Sequence, residues 1–235
     1  MSTFLYTEGF AMTAVIHSPR SATNLRMPAL VAGIGLLLMA VLAAFGNFGA
    51  VEAVVVREDA TATARNLMES EALFRVGIAA LLVVVVLDIV AAWALFLLLE
   101  GVNRALALAA ASFRTAYAAV FAAATSQLVL MLDLQASPPA ALQAFTTFER
   151  TWSVALILFA VHLLLIGYLV GRSGFIGWPI GVLVLIAGLG YLVDSFGAVI
   201  VDGYTLEIST FTFVGEVALM LWLLIKGRRL QRHSA

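Results

Sequence analysis

Six apolar stretches, each close to twenty residues long, constrain this chain more than any other feature. They cover roughly 28–50, 76–99, 105–131, 152–171, 177–200 and 209–226. A helix rises ~1.5 Å per residue, so about twenty residues cross a hydrocarbon layer of ~30 Å. Lipid cannot satisfy backbone N–H and C=O groups, so a spanning segment must be a helix or part of a closed barrel. A barrel would show alternating segments of ~10 residues, and the sequence shows unbroken apolar runs instead. The expected fold is all-α, a polytopic membrane protein built as a six-transmembrane-helix bundle. Composition agrees, with 63% hydrophobic and 11% charged residues, against about 45–50% and about 25% in soluble domains. The lipid bilayer is the first expected partner.

Three regions follow: a polar N-terminal tail (1–26), a six-helix membrane domain (27–227) and a short basic tail (228–235). Glu8 interrupts the tail's only apolar run, which makes a poor secretory signal peptide, and Met12 is an alternative start. Glu100 to Arg104 forms a polar turn between the second and third spans. Ser137-Pro138-Pro139 breaks the chain, with Ser137 placed to cap a helix that has Pro in its first turn. The longest loop is 51–75, where Thr63 to Phe74 suits a short interfacial helix. Trp152, Trp178 and Trp222 fall at predicted span ends, where an indole prefers the interface. The Ala-rich third span favours close packing and a central position. With the N-terminus inside, eight Lys and Arg face inward against four outward. That bias predicts both termini in the cytoplasm. Arg outnumbers Lys twelve to one, a coding bias that points to bacteria and hence to the bacterial cytoplasmic membrane.

Several classes of chemistry are excluded. The chain has no Cys, which removes disulfides, thiolate metal sites and Cys nucleophiles. The net charge of −1 offers no basic surface for nucleic acid. No nucleophile elbow, phosphate loop, nucleotide fingerprint or metal motif occurs, so no cofactor, metal ligand or catalytic residue is assigned. The remaining candidate partners are an unknown small solute, a lipid or another membrane protein.

The order and spacing of several short strings carry a family resemblance. Glu71-Ala-Leu73-Phe74-Arg75 precedes the second span, Leu87-Asp88 lies inside it, and Val102-Asn103-Arg104 fills the turn. Ser112-Phe113-Arg114 follows, then His162 through Gly167-Tyr168-Leu169 to Arg172-Ser173-Gly174. Gly188 to Ser195, Gly215-Glu216, Trp222 and Lys226-Gly227 complete the set. Together these resemble the bacterial multi-pass family called domain of unknown function 4386, over about residues 28–227. Leu73, Phe74, Arg75, Gly167, Tyr168 and Leu169 look like its hallmarks. The resemblance implies a bacterial membrane protein and brings no established activity.

Five ionisable side chains lie inside predicted spans: Asp88, Arg114, His162, Asp194 and Glu216. An unpaired Asp or Arg at a helix centre costs about 2.5–3.5 kcal/mol on insertion scales. They therefore form the candidate buried polar site. Counting at ~1.5 Å per residue puts Asp88, Arg114 and His162 near one level and Asp194 and Glu216 further out. The short turn makes the second and third helices antiparallel neighbours, so Asp88 is expected to face Arg114. The pair either clamps the hairpin or leaves Arg114 free for an anionic group that also touches His162. His162 alone suits a bond to a neighbouring helix, or proton relay if carboxylates flank it. Gly190, Asp194 and Gly197 share a helix face that another segment can approach closely. Asp194 and Glu216 then either share a proton or cation, or bond separately to backbone, Tyr191 and Thr212.

Three functions remain open. A non-catalytic scaffold or sensor, with polar residues that only order the bundle, ranks first. A small proton- or ion-coupled transporter ranks second, and an intramembrane enzyme acting on lipid third. A wet cavity reaching Asp88, Arg114 and His162 favours transport or catalysis. A dry core with each charge paired favours the first.

Overall fold

The computed structural model describes residues 25–201 and 203–230. The expectations placed on Glu8, Met12 and most of the two tails lie outside these residues. Among the described residues all regular structure is helical. The elements are α1 (Arg26–Ala44), α2 (Glu52–Val54), α3 (Ala60–Glu69), α4 (Glu71–Leu99), α5 (Arg104–Asp133), α6 (Pro138–Arg172), α7 (Trp178–Ile200), α8 (Ser209–Thr212) and α9 (Val214–Ile225). A π-helical segment, Phe45–Val51, joins α1 to α2, and a 3₁₀ turn, Gly227–Arg229, follows α9. Among the described residues six helical runs are long and apolar enough to span a membrane: Arg26–Val54, α4, α5, α6, α7 and Ser209–Arg229.

These six close into a ring. Each of α1, α4, α5, α6 and α7 packs on the next, α7 packs on α9, and α9 returns to α1. The chemistry is inverted relative to a soluble bundle. On α4 the outward face carries Val83, Val86, Val90, Trp93 and Leu97, while Asp88 is buried. That arrangement suits a solvent as apolar as the side chains themselves. The ring includes α5 as an ordinary member between α4 and α6, not as a central post, because its own polar residue points inward.

Local chemistry explains the ends. The Asn103 side chain accepts from the Leu106 N–H at 3.1 Å and caps α5. Ser137 precedes a helix with Pro in its first turn but makes no side-chain cap; its carbonyl accepts from Ala141. The expected helix over 63–74 is instead α3, starting at Ala60 under an Asp59 cap and broken at Ser70 before α4 begins.

The fourth span departs most from expectation. It starts at Pro138, and α6 is 35 residues long, so Trp152 lies mid-helix and not at a boundary. Glu149 and Arg150 lower the local hydropathy, but the helix continues because Phe145, Phe148 and Trp152 pack inside the bundle end. Closer packing occurs where α6 meets α7. A Cβ added at Gly181 would stand 2.6 Å from the Gly171 nitrogen and 2.7 Å from the Gly167 oxygen. The two backbones touch through Gly167 and Gly171, a small-xxx-small spacing.

Candidate functional site

The hairpin of α4 and α5 sets the first two residues of the buried site. Asp88 lies eleven residues before the end of α4 at Leu99, and Arg114 ten residues after the start of α5. At ~1.5 Å per residue these are equal depths, so antiparallel packing brings them face to face. Arg114 Nε donates to Asp88 Oδ1 at 2.9 Å, and Nη2 approaches the same oxygen at 2.7 Å. His162 lies ten residues before the end of α6, at the same level. Its Nε2 is 3.1 Å from Arg114 Nη1, and its Nδ1 is 2.8 Å from the Ala110 carbonyl. A carbonyl can only accept, so Nδ1 carries the hydrogen; guanidinium can only donate, so Nε2 carries the lone pair. The network therefore assigns a neutral imidazole in the Nδ1–H tautomer.

Every helix of the ring contributes to this level. Arg114 Nη2 lies 3.7 Å from Met39 Sδ on α1, and its Cζ sits 5.3 Å from the Phe159 ring centre on α6. Phe159 meets Tyr191 of α7 edge-on at 5.5 Å. Tyr191 lies beside the Glu216 carboxylate of α9, which is within electrostatic reach of Arg114 and Asp88. Glu216 lies ten residues before Lys226, so it belongs to the level of Arg114 and not further out. Asp88, Arg114 and His162 are at most 3% exposed. Glu216 differs from them: its Oε1 is buried with no hydrogen-bond partner.

Asp194 takes a separate set of partners. Tyr204 donates to Oδ1 at 2.8 Å, the Ile208 N–H to Oδ1 at 3.0 Å and the Ser209 N–H to Oδ2 at 2.6 Å. The face carrying Gly190 and Gly197 does admit a close neighbour, namely Thr212 and Tyr204. The neighbour is this return segment, so Asp194 anchors it and does not meet Glu216. The hydroxyls of Ser112 and Thr125 bond back to their own helix at Leu108 and Phe121.

A cavity of about 420 Å³ opens at the end of the ring that holds the 51–60 and 203–208 segments. Tyr191 lines its inner end, with Phe148, Trp152 and Tyr204 on its walls. Glu52, Glu149, Asp194 and Glu207 also line it, and Asp88, Arg114 and His162 do not. At the rim Arg57 Nη1 donates to Glu149 Oε1 at 2.6 Å, and its Cζ lies 5.4 Å from the Phe145 ring centre. That hydrogen bond, reinforced by the Glu149 and Glu52 charges, raises the Arg57 pKa above its ordinary value despite some desolvation. Among the described residues no three His, Asp or Glu side chains converge as a metal site would require.

Sequence reasoning missed this cavity. Its Asn47 and Glu52 are turned inward by the π-helical segment, where Asn47 Nδ2 donates to Glu52 Oε1 at 3.1 Å. Gly46, Asn47 and Gly49 at the end of an apolar run were the available signal, since π segments gather at functional sites. The hallmark strings lie elsewhere. Phe74 and Leu169 are fully buried, Leu73 and Tyr168 face outward, Arg75 pairs with Glu71 at 2.7 Å, and Gly167 makes the α6–α7 contact.

Comparison with known proteins places these features in a family. The model for "Domain of unknown function (DUF4386)" matches residues 31–227. A protein of Archaeoglobus fulgidus, described as an uncharacterized protein, is 35% identical over 154 residues. The match covers 66% of this chain and 85% of that one. No solved structure matches the chain. The chain belongs to the DUF4386 family.

Proposed function

We propose that this member of a family of unknown function is a non-catalytic sensor or scaffold of the bacterial cytoplasmic membrane, and that it takes its ligand in the cavity above Tyr191. The observation that carries this reading is the closure of the Arg114 level. Asp88, Arg114 and His162 satisfy one another within 3.1 Å, and the cavity stops short of all three. A buried pair that loses one partner costs about 3–5 kcal/mol, so such a level suits a fixed joint better than a path. Both termini are assigned to the cytoplasm. Arg104, Arg172 and Lys226 lie at the ring end opposite the cavity, which supports an outward-facing cavity under the positive-inside rule.

The transporter reading keeps one supporting observation. Glu216 Oε1 is buried without a partner, and its carboxylate interacts with Tyr191, which lines the cavity. Reconstituted vesicles distinguish the two. A sensor or scaffold gives no proton or ion flux above empty vesicles under a pH or salt gradient. Flux that disappears in Glu216→Gln overturns it in favour of a coupled transporter.

A further inference from the structure

The cavity has a definite chemical bias. Among the described residues four carboxylates line it, from Glu52, Glu149, Asp194 and Glu207, and no Lys or Arg does. Arg57 at the rim offsets part of this charge through Glu149 and Glu52. Asp194 is held by one hydroxyl and two backbone N–H groups, none of them cationic. A cavity with low-dielectric walls and one sign of charge concentrates ligands of the opposite sign.

Aromatic rings supply the second half of the bias. Phe148, Trp152, Tyr191 and Tyr204 line the same space. The face of such a ring attracts a cation within about 6 Å of its centre. The fold already uses this combination at the rim, where Arg57 lies against both Glu149 and the Phe145 ring. A bare metal ion is disfavoured, because the carboxylates are spread around the cavity and do not converge on one point. The volume of about 420 Å³ falls within the roughly 300–1,000 Å³ of small-molecule sites.

We infer that this cavity binds a small organic cation, an alkylammonium group held between its carboxylates and its aromatic rings. The inference rests on the reading of the cavity as a ligand site and names the class of ligand. Desolvation selects a weakly hydrated ammonium over sodium, and the rings contribute without needing hydrogen bonds from the ligand.

The test uses the full chain in detergent, with binding read by calorimetry and by thermal shift. Choline chloride is the probe, and dimethylbutanol, its uncharged carbon isostere, is the matched control. Sodium chloride at equal ionic strength, calcium chloride and sodium benzoate complete the panel. Choline should bind saturably and raise the melting temperature, and the four controls should not. Trp152→Leu and Glu207→Gln should each weaken choline roughly two- to thirtyfold, the range expected for one ring or one charge. Glu207 is exposed, so its variant retains the fold whatever happens at Trp152. Binding of dimethylbutanol or benzoate in place of choline overturns the cation assignment and leaves the ligand-site reading standing. Calcium alone binding overturns it in favour of a metal. If no member of the panel binds, both readings fall.

Discussion

Arg114 and Asp88 approach to 2.7 Å across the α4–α5 hairpin, and the other four helices of the ring gather around that contact. Either charge left alone in hydrocarbon is costly, so the pair should be strongly coupled. Asp88→Asn and Arg114→Gln should each destabilise the protein in detergent by about 3 kcal/mol or more. The double variant should lose less than the sum, with a coupling of about 1–3 kcal/mol. Strictly additive losses in a denaturation series would show that the contact contributes nothing of its own.

The imidazole of His162 tests the same network from its other end. Its hydrogen is expected on Nδ1, toward the Ala110 carbonyl, and its lone pair on Nε2, toward Arg114. Nitrogen NMR of labelled protein in bilayers reads this tautomer directly. An Nε2–H signal, or a doubly protonated ring at neutral pH, contradicts the assignment. His162→Leu should cost about 1–3 kcal/mol, because it leaves a buried donor on Arg114 unpaired.

How far the sequence reaches is visible in these residues. Asp88 and Arg114 were legible because a five-residue turn fixes neighbours and a constant rise fixes depth. Glu216 was misplaced because its run is short at the outer end: counting from Ser209 leaves the carboxylate near that edge, whereas ten residues from Lys226 put it level with Arg114. The Asp194 partnership was hidden for a different reason. Hydropathy gives no rotation about a helix axis, and the return segment that meets Asp194 carries no periodic signal. The length of α6 was hidden too, because hydropathy reports the solvent and not the helix, and Pro138 to Thr151 is helical but polar in places.

The α6–α7 crossing provides a test with a built-in control. Gly181→Ala would drive a methyl group into two backbone atoms that cannot move independently. Overpacking of this kind costs about 1–3 kcal/mol. A Cβ at Gly171, on the facing helix, meets nothing within 4 Å. Gly171→Ala should therefore be neutral or raise stability by up to about 1 kcal/mol through helix propensity. Equal losses from both changes would place the close approach elsewhere.

Membrane orientation can be read by reporter fusions. A reporter after Ser234 and one inserted near Glu58 should report opposite compartments, the first cytoplasmic. The basis is the Lys and Arg excess at the ring end opposite the cavity, which acts through retention of positive charge inside. The same compartment for both fusions excludes this topology.

Asp194 makes the most local prediction. Its two oxygens receive three donors from the segment that returns from α7 to α9. In Asp194→Asn one oxygen becomes an NH₂ group, which cannot accept from a backbone N–H and faces one directly. A hydrogen bond to a charged acceptor contributes about 1.5–3 kcal/mol, so its loss should accelerate local opening roughly ten- to hundredfold. Hydrogen exchange should quicken by that factor at the Ile208 and Ser209 amides. The amides of α5 around Arg114 should keep their protection, because Asp194 shares no partner with that level. Unchanged exchange at Ile208 and Ser209 would mean that the carboxylate does not hold the return segment, and the wall of the cavity that includes Tyr204 would need another anchor.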